Sequence, residues 1–172
     1  MRWPPDRDEF EALYREHYPA VFRFALYMTG DAAAAGEITQ DVFVWLIHHS
    51  AEYDAGRGSL GAFLGGVARK FLHRRQRNER RWLPLHEGAA AHQDLAAGLE
   101  RDQEAAQLHR AIAALPERYR EAVVLCDLQG NSYDQAAAVM GCATGTVKSR
   151  LHRARELLAG KMQRSREGQR CL

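Results

Sequence analysis

Lys148, Ser149, His152, Arg153 and Arg155 recur along one side of a stretch whose other side is Val147, Leu151, Ala154 and Leu158. That spacing predicts an amphipathic helix with a basic outer face. Lysine and arginine donate to guanine edges and to phosphates, and serine suits either. Upstream, Ala137, Gly141 and Val147 stand where a helical hairpin needs them. Ala137 is small enough for two helices to cross, Gly141 can take the left-handed conformation of a tight turn, and Val147 faces the second helix back onto the first. Thr144, Gly145 and Thr146 put amides and hydroxyls at the start of that second helix, where the helix dipole attracts a phosphate. The stretch from Ser132 to Ala159 therefore predicts a helix-turn-helix whose basic second helix enters a DNA major groove. A purely structural helical hairpin is the alternative.

A second set of cations lies upstream: Arg69, Lys70, Arg74, Arg75, Arg77, Arg80 and Arg81. The overall net charge of +2 conceals this pattern. Residues 1–62 carry five bases and ten acids, and residues 63–81 carry seven bases and one acid. Residues 82–147 then carry four bases and nine acids, and residues 148–172 carry eight bases and two acids. Two acidic stretches thus each end in a basic block of net +6. Such blocks suit phosphate backbones, while the acidic stretches repel them, so contact with a nucleic acid is expected at the blocks alone. Charge by itself is equally compatible with two solvated helix faces.

The elements that must position these residues read as helices. Apolar residues at three-to-four spacing predict a first helix from about Asp8 to Met28, kinked or broken near His17–Tyr18 by Pro19 and ended by Thr29-Gly30. Asp31 is the expected cap of a second helix running to about His49. That helix has two apolar stripes: Ile38, Val42, Trp45 and Leu46 on one face, and Gln40, Phe43, Val44 and Ile47 on another. One stripe packs on the first helix. The other is either a partner surface, marked by Gln40 and Asp41, or the seat of a third helix. Tyr53–Gly58 is a loop, and Ser59 caps a third helix holding Leu60, Phe63, Leu64, Val67, Phe71 and Leu72, whose later turns carry the first basic block. Gly65-Gly66 inside it predicts close packing or local bending. From Trp82 to Asp102 the periodicity is lost, as in a flexible linker, with Trp82-Leu83-Pro84-Leu85 apolar enough to dock on a neighbouring surface. A further amphipathic helix spans Glu104–Leu115, Pro116 opens the next, and Ser132 caps a short one. The expected fold is all-α: two small helical domains, 1–81 and 103–162, joined by a flexible linker, 82–102, with a basic tail, 163–172.

Other chemistry finds no support. The eight histidines show no ligand spacing with one another or with Cys126, Cys142 and Cys171, so no metal and no cofactor is expected. No nucleophile triad, carboxylate pair or phosphate-binding glycine loop is present, and the chain is not expected to be an enzyme. Three cysteines without a close pair point to a reducing cytoplasm. The longest stretch free of charged side chains is the 13 residues 135–147, too short to span a membrane, and the start MRWPPDRDEF has no signal-peptide character.

The segment LPERYREAVVLCDLQGNSYDQAAAVMGCATGTVKSRLHRARELL resembles the fourth region of extracytoplasmic-function (ECF) sigma factors, and FEALYREHYPAVFRFALYMTGDAAAAGEITQDVFVWLIHHSAEYDAGRGSLGAFLGGVARKFLHRRQR resembles their second region. The order, the spacing and the missing middle regions match that family. The resemblance implies a protein that joins core RNA polymerase, through the clamp coiled coil and the flap of the large subunits, and directs it to promoter DNA. It implies core-polymerase binding by Gln40, Asp41, Phe43 and Ile47. It implies capture of the unwound −10 element by Tyr53, Asp54, Arg57, Phe63, Arg69, Lys70, Arg74 and Arg75. It implies reading of the −35 element by Thr144, Gly145, Thr146, Lys148, Ser149, Arg150 and Arg153. It also implies a monomer when free and an anti-sigma factor that masks both domains. The chain departs from the family pattern at Phe63 (usually tryptophan), Lys70 (usually asparagine) and Gly65-Gly66 (usually tyrosine-arginine), and at Ala143, where Thr144 is expected to take over capping. Two other classes remain open on the residues alone. One is a stand-alone helix-turn-helix regulator acting as a dimer. The other is a partner protein that occupies polymerase without selecting promoters.

Overall fold

The computed structural model describes residues 7–82 and 103–170. Helix α1 spans Arg7–Thr29, α2 Ala32–His49 and α3 Leu60–Trp82. After residues 83–102 come α4 (Gln103–Ala113), α5 (Glu117–Val123), α6 (Tyr133–Met140) and α7 (Thr144–Arg170). Among the described residues there is no β-strand.

The helix ends follow from the residues that sit there. Gly30 takes a left-handed φ of 74° and closes α1. The Asp31 carboxylate then accepts from the amides of Ala33 and Ala34, which are among the donors a helix start leaves unpaired. Ser59 Oγ does the same for Ala62 N at 3.2 Å. Ser132 and Gln135 form a reciprocal capping box at the start of α6. Pro19 does not break α1: it stands on the exposed side, and Tyr14, Tyr18 and Phe22 run past it as a ladder with ring centres 5.1 and 5.7 Å apart. Pro116 occupies the N-cap of α5, not its first turn. Beyond α5, Val124–Leu128 forms a wider, π-helical turn closed by Gln129 N–H to Val124 O at 3.1 Å.

The first three helices pack on one another, with Phe24, Val42, Leu46 and Leu64 fully enclosed. In the second half, α4, α5 and α6 pack around α7, burying Ile112, Leu125, Val147 and Leu151. The two modules also meet: α6 lies on α3, and α5 touches α1, so that the two cores form one continuous apolar cluster. The charge pattern gave no sign of this contact. Trp82, expected to open the linker 82–102 and its docking segment Trp82-Leu83-Pro84-Leu85, is instead the last residue of α3, and the rest of that linker lies outside the described residues, as does Cys171. The segment expected as a basic tail continues α7 as helix to Arg170.

Candidate nucleic-acid interface

The helix-turn-helix is assembled as its residues require. Gly141 is left-handed, with φ 61° and ψ 41°, and its amide donates to Ala137 O. A side chain in that conformation costs roughly 1–2 kcal/mol, which glycine avoids. Val147, Leu151 and Ala154 are buried, so α7 turns its other side outward. Lys148, Ser149 and Arg153 are exposed on it, as is Gly145, while Thr144, Thr146 and Arg150 are half-buried.

Several of these groups are already positioned. Lys148 Nζ lies 5.7 Å from the centre of the Tyr133 ring. Ser149 Oγ donates to Thr146 O at 3.0 Å. Arg153 donates to Glu156 at 2.8 Å, which raises its pKa and keeps it cationic. Thr144 does not cap α7. Its hydroxyl donates instead to Asp134 at the start of α6, at 2.8 Å, and Ala143 O receives the first amides of the helix. Arg155, one of the basic residues of this face, is clamped by both Asp127 oxygens, at 2.6 and 3.2 Å. It serves to hold the π-turn on α7.

The first block is arranged differently. Loop 53–58 is folded on itself: Asp54 accepts from Gly56 N at 2.8 Å, and the Tyr53 hydroxyl donates to Gly58 O at 3.3 Å. Phe63 stands between Tyr53 and Trp45, with ring centres 5.4 and 5.8 Å away. Tyr53, Asp54 and Phe63, with Arg57, Gly66 and Lys70, line a cavity of 330 Å³, the small end of the range for ligand pockets. One wall comes from the other module, at Ala138. Arg57, Lys70 and Arg74 are exposed, but Arg69 and Arg75 are engaged. Arg69 donates to Glu121 across the module boundary, and Arg75 to Glu37 on α2 at 2.7 Å.

The second stripe of α2 is corrected by the structure. Phe43 is only 3% exposed and packs on Tyr14, ring centres 4.6 Å apart. It belongs to the core, because the first turns of α1 cover that side of α2. Val44 and Ile47, 47% and 49% exposed, remain outward beside Gln40 and Asp41. Of the second stripe, Val44 and not Phe43 is therefore the outward neighbour of Ile47. Among the described residues no group of histidine, cysteine, aspartate and glutamate could hold a metal ion, and no helix is long and apolar enough to cross a membrane.

Residues 13–82 match the family model of Sigma-70 region 2, and residues 105–158 that of Sigma-70 region 4. The chain is 33% identical over 153 residues to the ECF RNA polymerase sigma factor SigC of Mycobacterium tuberculosis, covering 86% of this chain and 80% of that protein. It is 31% identical over 153 residues to the ECF RNA polymerase sigma factor SigE of Mycolicibacterium smegmatis, covering 87% of this chain but spanning only 60% of that protein's length. Among solved structures, the sigma factor RpoE in complex with the anti-sigma factor NepR from Bartonella quintana superposes with a TM-score of 0.72 at 25% identity, over 91% of this chain and 98% of that one. CnrH in complex with the cytosolic domain of CnrY gives 0.69 at 25% identity, over 92% and 90% of the two chains.

Proposed function

The chain belongs to the ECF RNA polymerase sigma factors, and from that premise we propose that it binds core RNA polymerase in the cytoplasm and directs it to promoters through two separate DNA contacts. The observation that carries this reading is the outward basic face of α7 behind the left-handed turn at Gly141. Lys148, Ser149 and Arg153 reach base edges of the −35 duplex. Thr144, Gly145, Thr146 and Arg150 hold its phosphates. The −10 strand is taken by the first module. A flipped base enters the pocket of Tyr53 and Phe63, and Asp54, Arg57, Arg69, Lys70, Arg74 and Arg75 line the path of its backbone. The core enzyme docks on Gln40, Asp41, Val44 and Ile47 of α2, an apolar pair at one-turn spacing with polar neighbours, suited to a partner helix. The clamp coiled coil is that partner, and the flap receives the second module. The polymerase supplies the chemistry. An anti-sigma factor covers both modules until it is released.

Transcription with purified core polymerase tests this. The wild-type chain should initiate at specific start sites only when core is added. Ile47→Asp should abolish core binding while leaving the fold intact, because Ile47 is exposed. A chain that dimerises and shifts a palindromic duplex without polymerase would overturn the proposal in favour of a stand-alone regulator.

A further inference from the structure

The row of rings at the strand pocket does not stop at Phe63. Phe63 faces Trp45 of α2 at 5.8 Å, and Trp45 is stacked in turn on His49, with ring centres 4.6 Å apart and planes only 2° from parallel. Tyr53, Phe63, Trp45 and His49 thus form one unbroken file of four rings. The first two line the cavity. The last two continue the file along α2, beyond the cavity.

The core does not account for this pair. Ile38, Val42 and Leu46, the other members of the Trp45 stripe, are 3% exposed or less, whereas Trp45 is half-buried and His49 is exposed. The pair is also held still. His49 Nδ1 donates to Trp45 O, one turn back, at 3.0 Å, which fixes the imidazole over the indole. Phe63 backs the indole from α3. The stack therefore ends on a positioned imidazole open to solvent. A rigid, flat π-face rewards a second flat ring, because little rotamer freedom is lost when it binds. Nucleobases are such rings, and each of them has a π-face. Asp41 lies one turn before Trp45 and Glu52 just beyond His49, so this end of the file adds little attraction for phosphates and draws on stacking instead.

We propose that Trp45 and His49 form a second base seat. While one base is flipped into the pocket of Tyr53 and Phe63, its neighbour in the displaced strand stacks on the His49 imidazole, with Trp45 as the plate behind it. The seat rests on reading that pocket as the −10 site. It holds a purine better than a pyrimidine, because the purine offers the larger face to stack.

Full-length chains with single substitutions, titrated with fluorescent oligo(dA) and oligo(dT) and separately with core polymerase, test the seat. Trp45→Ala should weaken oligo(dA) binding about tenfold, with a smaller loss for oligo(dT). The slope of log affinity against log salt should keep its wild-type value, because no phosphate contact is removed. His49→Trp enlarges the exposed ring without touching the core and should tighten oligo(dA) binding about threefold, while His49→Ala should weaken it by a similar factor. Core binding should be unchanged throughout. Unchanged strand affinity in both His49 variants overturns the seat, and this arm holds even if Trp45→Ala does not fold, since His49 is exposed. Loss of core binding in place of strand binding also overturns it and assigns the pair to the polymerase-docking face of α2. If Phe63→Ala keeps full strand affinity while the His49 variants alter it, the seat stands and the reading of the Phe63 pocket as the −10 site fails instead.

Discussion

The two basic blocks carry the same net charge and have different fates. On α7 the cations point outward, and the pairs they make, Arg153 with Glu156 and Lys148 over Tyr133, stay on the surface where DNA can compete for them. On α3 one cation, Arg69, is drawn to a buried glutamate of the other module, while Arg75 pairs with Glu37 of α2 at the surface and Lys70 and Arg74 stay exposed. The difference teaches that a basic block is a binding site only to the extent that its own protein leaves it unspent. Charge counts alone cannot distinguish display from sequestration, because the acids that neutralise α3 lie 38 and 52 positions away in sequence.

The largest perturbation would break the platform under the displayed block. Leu151→Ala removes a side chain that is 2% exposed and should cost about 2–5 kcal/mol in thermal or denaturant unfolding. Because the two modules share a core, one cooperative transition is expected; two separate transitions would mean that the blocks are carried by independent bodies. Arg153→Ala acts on the display itself. It should weaken promoter binding by the assembled polymerase by roughly 1–3 kcal/mol, read from start-site titrations, while unfolding stays within about 0.5 kcal/mol of wild type.

The sequestered block is sharpened by pH. Burial lifts the Glu121 carboxyl above its usual range, against the pull of Arg69 and His73 and with a small push from Glu117. The folded state therefore keeps that proton to a higher pH than the unfolded chain does. Its stabilising contribution is full below the unfolded value and is lost as pH rises through the folded one. Glu121→Gln should flatten this decline, changing stability at neutral pH by about 1 kcal/mol or less, measured as unfolding midpoints against pH. The smallest effect belongs to Arg75→Ala. Its pair with Glu37 is well exposed, and its loss should shift stability by roughly 0.5 kcal/mol, vanishing at high salt.

Much of this could be read from the chain, because the deciding residues act locally. Asp31, Ser59, Ser132 and Gly141 set helix ends through their own conformations and nearest amides, so their roles are written in a few neighbouring letters. Val147, Leu151 and Ala154 announce the buried side of α7 by period alone. Phe43 could not be assigned in this way. Its stripe and the neighbouring stripe of α2 are both apolar, and what decides between them is where Tyr14 of α1 comes to rest. Ala143 and Thr144 exchanged their expected roles because Asp134, ten residues back, captures the threonine hydroxyl. The module contact was least legible. Gly65-Gly66 announced a close approach without naming the neighbour, and Ala138 and Val139 give no sign of it until two helices far apart in sequence are laid together.

The wide turn at Val124–Leu128 holds one residue more than a regular helix would use there. The wider turn absorbs that residue locally, and within it Asp127 is set where both of its carboxylate oxygens reach Arg155 of α7. Deleting one residue should return the turn to α-helical pitch and displace Asp127 from Arg155, read as a loss of thermal stability. That extra residue thus helps fasten α7 to its own module through the Asp127–Arg155 pair.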